Sequence, residues 1–139
     1  QELIKIYKNI AKQSIIGSLD VKLLNKTYFV YNNNKNINQS ELSEIFDKKK
    51  LNYIGEIYLN SIDKDGTGQG YDFQMLKNIK KNEIPIILAG GVGNWRHLLS
   101  GLENKKINAA ATANLLNFIG NGFENARNNL FDKCDLAKW

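Results

Sequence analysis

The sequence predicts an α/β fold built on a parallel sheet, and two observations support this. Short apolar runs typical of strands alternate with segments of helical periodicity, as happens when each helix carries the chain across to the next parallel strand. The loops rich in glycine and acidic residues all follow strands, whereas the links that lead into strands are plain turns. In parallel sheets such loops share one edge, at the carboxyl ends of the strands, where ligands bind.

Four core strands and one hairpin are predicted. The first core strand covers residues 14–21, an isoleucine-rich run typical of a strand that is buried on both faces. Residues 21–24 and 27–31 would pair as a hairpin around Asn25 and Lys26. The other core strands are predicted at residues 54–62, 84–89 and 107–113.

Helix starts are predicted from capping residues, whose side chains accept the first free backbone N–H groups of a helix. Asn38, with Glu41 three positions later, has the spacing of a capping box. The predicted helices run from this box to about Lys50, from Asp72 to about Lys81, from Asn94 to about Glu103, and over residues 123–133.

Length and composition limit the function classes. The chain has 139 residues, 42% of them hydrophobic and 24% charged, which is ordinary for a globular domain. A closed barrel of eight strand–helix units needs about 250 residues, so this chain alone is too short to form one. The net charge of +5 comes from scattered lysines rather than an arginine-rich patch, so no nucleic-acid partner is predicted. No apolar run reaches the roughly 18 residues of a membrane span, so no membrane partner is predicted.

The rare residue types give further expectations. The single cysteine, Cys134, excludes an internal disulfide and a cysteine-cluster metal site, which favours a reducing, cytoplasmic setting. The lone histidine, His97, is interpreted as a surface or packing residue of a helix rather than as a base or ligand. The chain begins at Gln1 without the pattern of a signal peptide, and we expect a piece of a longer protein.

Two features at strand ends are candidates for chemistry. Asp20 ends the first strand, where a partly desolvated carboxylate can exchange protons with a ligand; a structural pairing with Lys22 is the alternative. Gly90 and Gly91 join a strand to a helix, and residues without Cβ atoms let backbone N–H groups approach a phosphate. A tight structural turn is the alternative for these glycines.

Residues 63–74 (DKDGTGQGYDFQ) partly match a calcium-binding EF-hand loop. The match fails at its twelfth position, where Gln74 replaces the bidentate glutamate, and the segment that enters the loop has the pattern of a strand. A glycine-rich loop whose backbone N–H groups face an anion is the interpretation that we prefer, and no metal is predicted.

Four segments carry a resemblance to a known family. They are residues 18–22 (SLDVK), 59–67 (LNSIDKDGT), 70–72 (GYD) and 85–94 (PIILAGGVGN). These segments resemble the cyclase subunit of imidazole glycerol phosphate synthase, and the resemblance extends over about residues 13–120. It implies the TIM-barrel (β/α)8 fold. Residues 1–139 would be a single domain, the C-terminal (βα)4 half-barrel with parallel strands, and the N-terminal half would be missing.

The resemblance implies a lyase of histidine biosynthesis that uses no cofactor. Such a cyclase takes ammonia from a glutamine amidotransferase partner and joins it to a phosphoribulosyl-formimino-aminoimidazole carboxamide nucleotide. The products are imidazole glycerol phosphate and aminoimidazole carboxamide ribotide. By this resemblance Asp20 is one of two catalytic aspartates and acts as a general acid/base in ring closure, while its counterpart belongs to the missing half.

The resemblance also assigns binding residues. Asn60 and Ser61 would line the substrate cleft. Glu56, at the start of its strand, would lie near the opposite end of the barrel, where ammonia enters from the partner. The residues assigned to one of the two substrate phosphates are Asp65, Gly66, Gly90, Gly91, Ala113 and Asn114. The other phosphate site would belong to the missing half.

Two alternative functions stay open. Asn114 stands where the family usually has serine, and Ala89 where serine is common. The segment over residues 114–127 resembles cyclase-like proteins from surface-polysaccharide operons, which are associated with amidino-sugar formation and use the same delivery of ammonia. The second alternative is a non-catalytic half-barrel module that binds phosphate.

Overall fold

The computed structural model of the chain describes residues 5–6, 9–32, 37–46, 49–79, 84–113, 115, 121–131 and 133, with 37–39, 49–50 and 123 described by their backbone alone. The strands are β1 (Ile16–Leu24), β2 (Thr27–Asn32), β3 (Ile37–Glu41), β4 (Glu56–Ser61), β5 (Ile86–Ala89) and β6 (Ala109–Ala110). The α-helices are α1 (Leu42–Phe46), α2 (Trp95–Leu102) and α3 (Gly122–Phe131), and 3-10 helices cover Lys12–Ser14, Lys49–Tyr53 and Met75–Asn78.

The six strands form one sheet in the order β3-β2-β1-β4-β5-β6. The pairs β1–β4, β4–β5 and β5–β6 are parallel, whereas β2 pairs antiparallel with both β1 and β3. The predicted α/β class, its four parallel strands and the hairpin at Asn25 and Lys26 are therefore confirmed. Within the described residues the sheet is open, with β3 and β6 at its edges, as expected for part of a TIM barrel.

The capping box predicted at Asn38 and Glu41 is wrong. These residues belong to β3, which pairs with β2, and α1 begins only at Leu42 and spans five residues. The physical reason is that the outer edge of β2 carries free N–H and C=O groups, which a further strand satisfies. The predicted helix end at Lys50 falls in the 3-10 helix Lys49–Tyr53, and residues 47–48 lie outside the described part.

The helix predicted to follow Asp72 is much shorter than expected. The structure has the 3-10 helix Met75–Asn78, after which Ile79 is extended, and Lys81 lies outside the described residues. One tight turn suffices here because it already buries Met75 and Leu76 in the core.

The two faces of the parallel strands differ in burial. In β4 the side chains of Ile57 and Leu59 are fully buried, whereas Tyr58 and Asn60 on the opposite face are only half-buried. The expectation that the first strand is buried on both faces is wrong, since Ile16 is 54% exposed. The described residues cover that face only in part, since Tyr58 and Asn60 keep intermediate exposure. This face therefore leaves the polar side chains of β1 and β4 accessible.

The segment between β4 and the 3-10 helix Met75–Asn78, residues 62–74, crosses the carboxyl edge of the sheet, and we call it the rim loop. Asp63 Oδ2 accepts a hydrogen bond from the Leu23 N–H at 2.7 Å, which ties the start of the loop to β1. The buried hydroxyl of Tyr28 on β2 donates to the Asp72 carboxylate, 3.0 Å from each oxygen. Tyr71 OH also donates to the carbonyl of Ala111 at 2.8 Å, so the loop is tied to β1, to β2 and to the segment directly after β6.

Replacing Tyr28 by Phe should lower the free energy of unfolding by about 1–3 kcal/mol at neutral pH, because it leaves the buried Asp72 carboxylate without its phenol donor. Chemical denaturation measures the change. Tyr58→Phe is the matched control, since the Tyr58 hydroxyl makes no hydrogen bond within the described residues and its loss should cost little. Equal stability of wild type and Tyr28→Phe would contradict the prediction.

The same pair predicts a pH dependence. Burial, followed by the hydrogen bond and charge of Asp72, raises the pKa of Tyr28 to about 12. Since the folded pKa lies above the ordinary value of about 10, the contribution of Tyr28 to stability is complete below pH 10 and is lost as the pH rises through about 12. The wild type should therefore lose more stability than Tyr28→Phe over this pH range.

Candidate functional site

A carboxylate and an amide meet at the carboxyl ends of β1 and β4. Asp20 and Asn60 are register partners in this parallel pair, and Asn60 Nδ2 donates to Asp20 Oδ1 at 3.1 Å. Ala89 is the partner of Asn60 on β5, so the three side chains stand in one row across the accessible face. The amide fixes the orientation of a half-buried carboxylate at the edge where ligands of parallel sheets bind.

A cavity of about 70 Å³ opens beside this row. A site of 10–15 Å³ already holds one water molecule, so the space suits a larger polar group. Its walls come from β4, from the rim loop, and from the segments that follow β5 and β6. The lining residues are Tyr58, Asn60, Asp65, Ala89, Gly90, Gly91, Val92, Ala111, Thr112 and Ala113.

The segment after β5, residues 90–93, forms a tight turn that we call the glycine turn. Gly90 and Gly91 have φ of +91° and +95°, and a Cβ on Gly91 would collide with the carbonyl oxygen of Gly70 in the rim loop. Gly70 N–H donates to Gly91 O at 2.7 Å. Backbone therefore packs directly on backbone here, which only glycine allows. The turn can present main-chain atoms to the cavity with no side chain in the way.

The glycine turn leads into α2, and the predicted cap of that helix is confirmed. Asn94 Oδ1 accepts from the N–H groups of Arg96 and His97 at 2.9 and 3.2 Å. The cap fixes the point where the chain leaves the turn, because two free amides of the first helical turn are satisfied by one side chain.

Thr112 is a lining residue that sequence reasoning missed. Its hydroxyl oxygen is buried and has no hydrogen-bond partner among the described residues. A buried hydroxyl without a partner costs stability, so this atom is an exception in the segment that lines the cavity. The only sequence signal is a hydroxyl residue within an otherwise alanine-rich segment (residues 109–113).

Tyr58 is the second lining residue that the sequence analysis did not select. Its burial, followed by the negative charges of Asp65 and Asp20, raises the pKa of its phenol. The group therefore stays protonated and uncharged at neutral pH. It offers a hydroxyl to the cavity and lies on the same face of β4 as Asn60.

The structure distributes the predicted phosphate residues unevenly. Asp65 and Ala113 line the cavity together with Gly90 and Gly91. Gly66 lies in an exposed part of the rim loop with φ of +75° and is not among the lining residues. Asn114 lies outside the described residues, as does Cys134.

Two other predicted residues lie away from the cavity. Ser61 is 1% exposed, and it alternates with Asn60 onto the face that packs in the core. Its carbonyl accepts from the Asp65 N–H at 2.9 Å, so it shapes the start of the rim loop. Glu56 lies on the same face as Asn60 but four residues earlier, about 13 Å along the strand.

The geometry supports two chemical capacities at one edge of the sheet. One is proton transfer by the oriented Asp20 carboxylate, and the other is binding of a small polar or anionic group in the adjacent cavity. Among the described residues, no three His, Cys, Asp or Glu side chains group as metal ligands. No helix of the described part is long and apolar enough to cross a membrane.

Comparison with known proteins gives one consistent set of matches. A family model described as histidine biosynthesis protein matches residues 1–120. The imidazole glycerol phosphate synthase subunit HisF of Chlorobaculum parvum is 34% identical over 131 residues, which cover 93% of this chain and 52% of that protein. The subunits of the same name from Prosthecochloris aestuarii and Chlorobium limicola are 35% and 33% identical, and 46% and 52% of their lengths are covered. The chain spans about half the length of the curated relatives it matches.

Replacing Thr112 by Val should raise the free energy of unfolding by about 1 kcal/mol, because it removes a buried hydroxyl without a partner and keeps the shape of the side chain. Thermal or chemical unfolding of the ligand-free protein measures it. Thr67→Val is the contrasting variant, since the Thr67 hydroxyl donates to the Lys64 carbonyl at 2.7 Å and its removal should not stabilise. A clear loss of stability in Thr112→Val would show that the hydroxyl has a partner.

Proposed function

The chain belongs to the histidine biosynthesis protein family, and we propose that it forms the C-terminal half of a cyclase subunit of imidazole glycerol phosphate synthase. The activity is that of the full-length barrel, because the matched relatives are about twice as long. The observation that carries the proposal is the placement of the Asp20–Asn60 pair and the glycine-lined cavity at one edge of the sheet.

Asp20 would act as the general acid/base of ring closure. Closing the imidazole ring requires protons to be moved on and off nitrogen and oxygen, and a positioned carboxylate can do this when it is within hydrogen-bond reach of the substrate. The Asn60 amide at 3.1 Å fixes the orientation of the carboxylate, and partial burial keeps bulk water at a distance on one side. The second catalytic aspartate and the second phosphate site would come from the other half of the barrel.

The cavity would hold one phosphate of the nucleotide substrate. Gly90 and Gly91 allow main-chain N–H groups to approach an anion closely, and Thr112 lines the same cavity. Asp65 plays a different part, because its own N–H already bonds to Ser61 and its carboxylate only accepts. We assign the Asp65 carboxylate to a hydroxyl of the substrate rather than to the phosphate.

Ammonia would enter at the opposite end of the strands. Glu56 marks the amino end of β4 on the same face as Tyr58 and Asn60, so this face runs from the proposed entry to the Asp20–Asn60 pair. A glutamine amidotransferase, docked at the amino ends of the strands in the cytoplasm, would supply the ammonia.

The alternatives are weaker. The three relatives described above bear the name of imidazole glycerol phosphate synthase and thus favour the nucleotide over an amidino sugar. A non-catalytic phosphate-binding module would explain the cavity but would not explain why an amide holds the Asp20 carboxylate in a fixed orientation beside it.

Replacing Asp20 by Asn in the full-length protein should lower kcat about 10²–10⁴-fold, the range typical of a lost general acid/base. Turnover is measured with the nucleotide substrate and with either glutamine plus the amidotransferase or an ammonium salt. Glu103→Gln, the same change at an exposed position after α2, should leave kcat unaltered. Unchanged turnover in Asp20→Asn would remove Asp20 from the reaction, and turnover of neither variant nor wild type would favour the binding module.

A further inference from the structure

The imidazole ring of His97 lies between the rim loop and the glycine turn. His97 is on the first turn of α2, and its Nδ1 accepts a hydrogen bond from the Gly93 N–H at 3.1 Å. The ring also covers Gly70, where an added Cβ would lie 3.4 Å from His97 Cδ2 and 3.5 Å from Nε2. One side chain thus contacts both loops that wall the cavity.

The two loops touch elsewhere through their backbones. The Gly70 N–H donates to Gly91 O at 2.7 Å, and an added Cβ on Gly93 would lie 2.6 Å from the Gly68 carbonyl oxygen. Such close approach leaves no space for side chains between the loops, so few atoms hold them together. The Gly93–His97 hydrogen bond ties the glycine turn to the first turn of α2, and the packing of the same ring on Gly70 connects this end of the helix to the rim loop.

The Gly93 contact favours one tautomer of the ring. An N–H group can bond only to a ring nitrogen that carries no proton, so Nδ1 is the acceptor and a neutral ring has its proton on Nε2. The Asn94 amide nitrogen lies 3.3 Å from Nε2, and its orientation is fixed because Asn94 Oδ1 caps α2. A neutral imidazole can accept only one hydrogen bond, and the Gly93 contact is the shorter of the two.

We propose that His97, in its neutral form with Nδ1 unprotonated, is a positioning residue for the anion cavity. His97 accepts a hydrogen bond from Gly93 and packs on Gly70. It thereby fixes the position of the glycine turn relative to the rim loop, so that Gly90 and Gly91 are held where they can bind a phosphate group. The proposal rests on the proposed function in one respect, namely that the cavity binds phosphate. It gives the lone histidine a role that is neither that of a base nor that of a ligand.

Two substitutions separate this role from simple packing. His97→Asn keeps an acceptor, because the amide oxygen can take the place of Nδ1, whereas His97→Leu keeps apolar volume and removes the acceptor. We expect His97→Leu to lower the affinity for inorganic phosphate about threefold to tenfold, in line with the loss of one hydrogen bond, and His97→Asn to restore most of it. Calorimetry at constant pH measures the affinities, and thermal unfolding shows whether each variant is folded.

Nuclear magnetic resonance tests the contact without any ligand. The ¹⁵N spectrum of the neutral wild-type ring should show an unprotonated Nδ1 and a protonated Nε2. Hydrogen exchange of the Gly93 amide should be faster in His97→Leu than in the wild type, and His97→Asn should protect it. The ring tautomer and the exchange rate of the Gly93 amide depend on a specific acceptor. If His97 only packed against the loops, the Leu and Asn variants would not differ in Gly93 exchange.

Two results would overturn the role of His97: a wild-type ring protonated at Nδ1, or equal Gly93 exchange and equal phosphate affinity in the Leu and Asn variants. The proposed function fails differently. If the wild type binds no phosphate, the phosphate site is refuted, and with it the purpose assigned to His97. If the wild type binds phosphate and both variants bind equally well, only the role of His97 is refuted.

Discussion

The site depends on the direct contact between the rim loop and the glycine turn. Gly70 and Gly91 are joined by a hydrogen bond of 2.7 Å; a Cβ on Gly91 would collide with the Gly70 carbonyl oxygen, and Gly70 has a φ of +92° that favours glycine. Because these loops follow neighbouring parallel strands, their contact closes one side of the cavity beside Asn60. The rest of the rim loop is held by hydrogen bonds to Leu23 on β1, to Tyr28 on β2 and to Ala111 directly after β6.

The division of the sheet into two faces links the fold to the chemistry. One face carries Ile57, Leu59 and Leu88, which are fully buried and supply the hydrophobic contribution to stability. The other face carries Asp20 and Asn60, brought together because parallel strands align their carboxyl ends. A half-buried carboxylate is compatible with stability there, since an amide bonds to it and the opposite face provides the core.

The sequence predicts the parts of this architecture that are encoded locally. Alternating apolar runs predict the parallel strands, and Asn94 predicts the start of α2 because capping depends on residues two and three positions later. It does not predict β3, because the pairing of β3 depends on a free edge of β2 that exists only after the sheet has formed. Contacts between distant parts of the chain are not predicted for the same reason. The bond between Tyr28 and Asp72, for example, joins positions 44 residues apart.

Phosphate binding in the cavity between the glycine turn and β6 can be measured by titrating the ¹⁵N-labelled chain with inorganic phosphate at constant ionic strength. We expect saturable shifts of the Gly90 and Gly91 amides. Ala113→Asp, which places a negative charge at the cavity wall, should abolish them, whereas Asn128→Asp, the same charge on the exposed side of α3, should not. Unshifted glycine amides, or equal shifts in both variants, would show that the cavity does not bind phosphate.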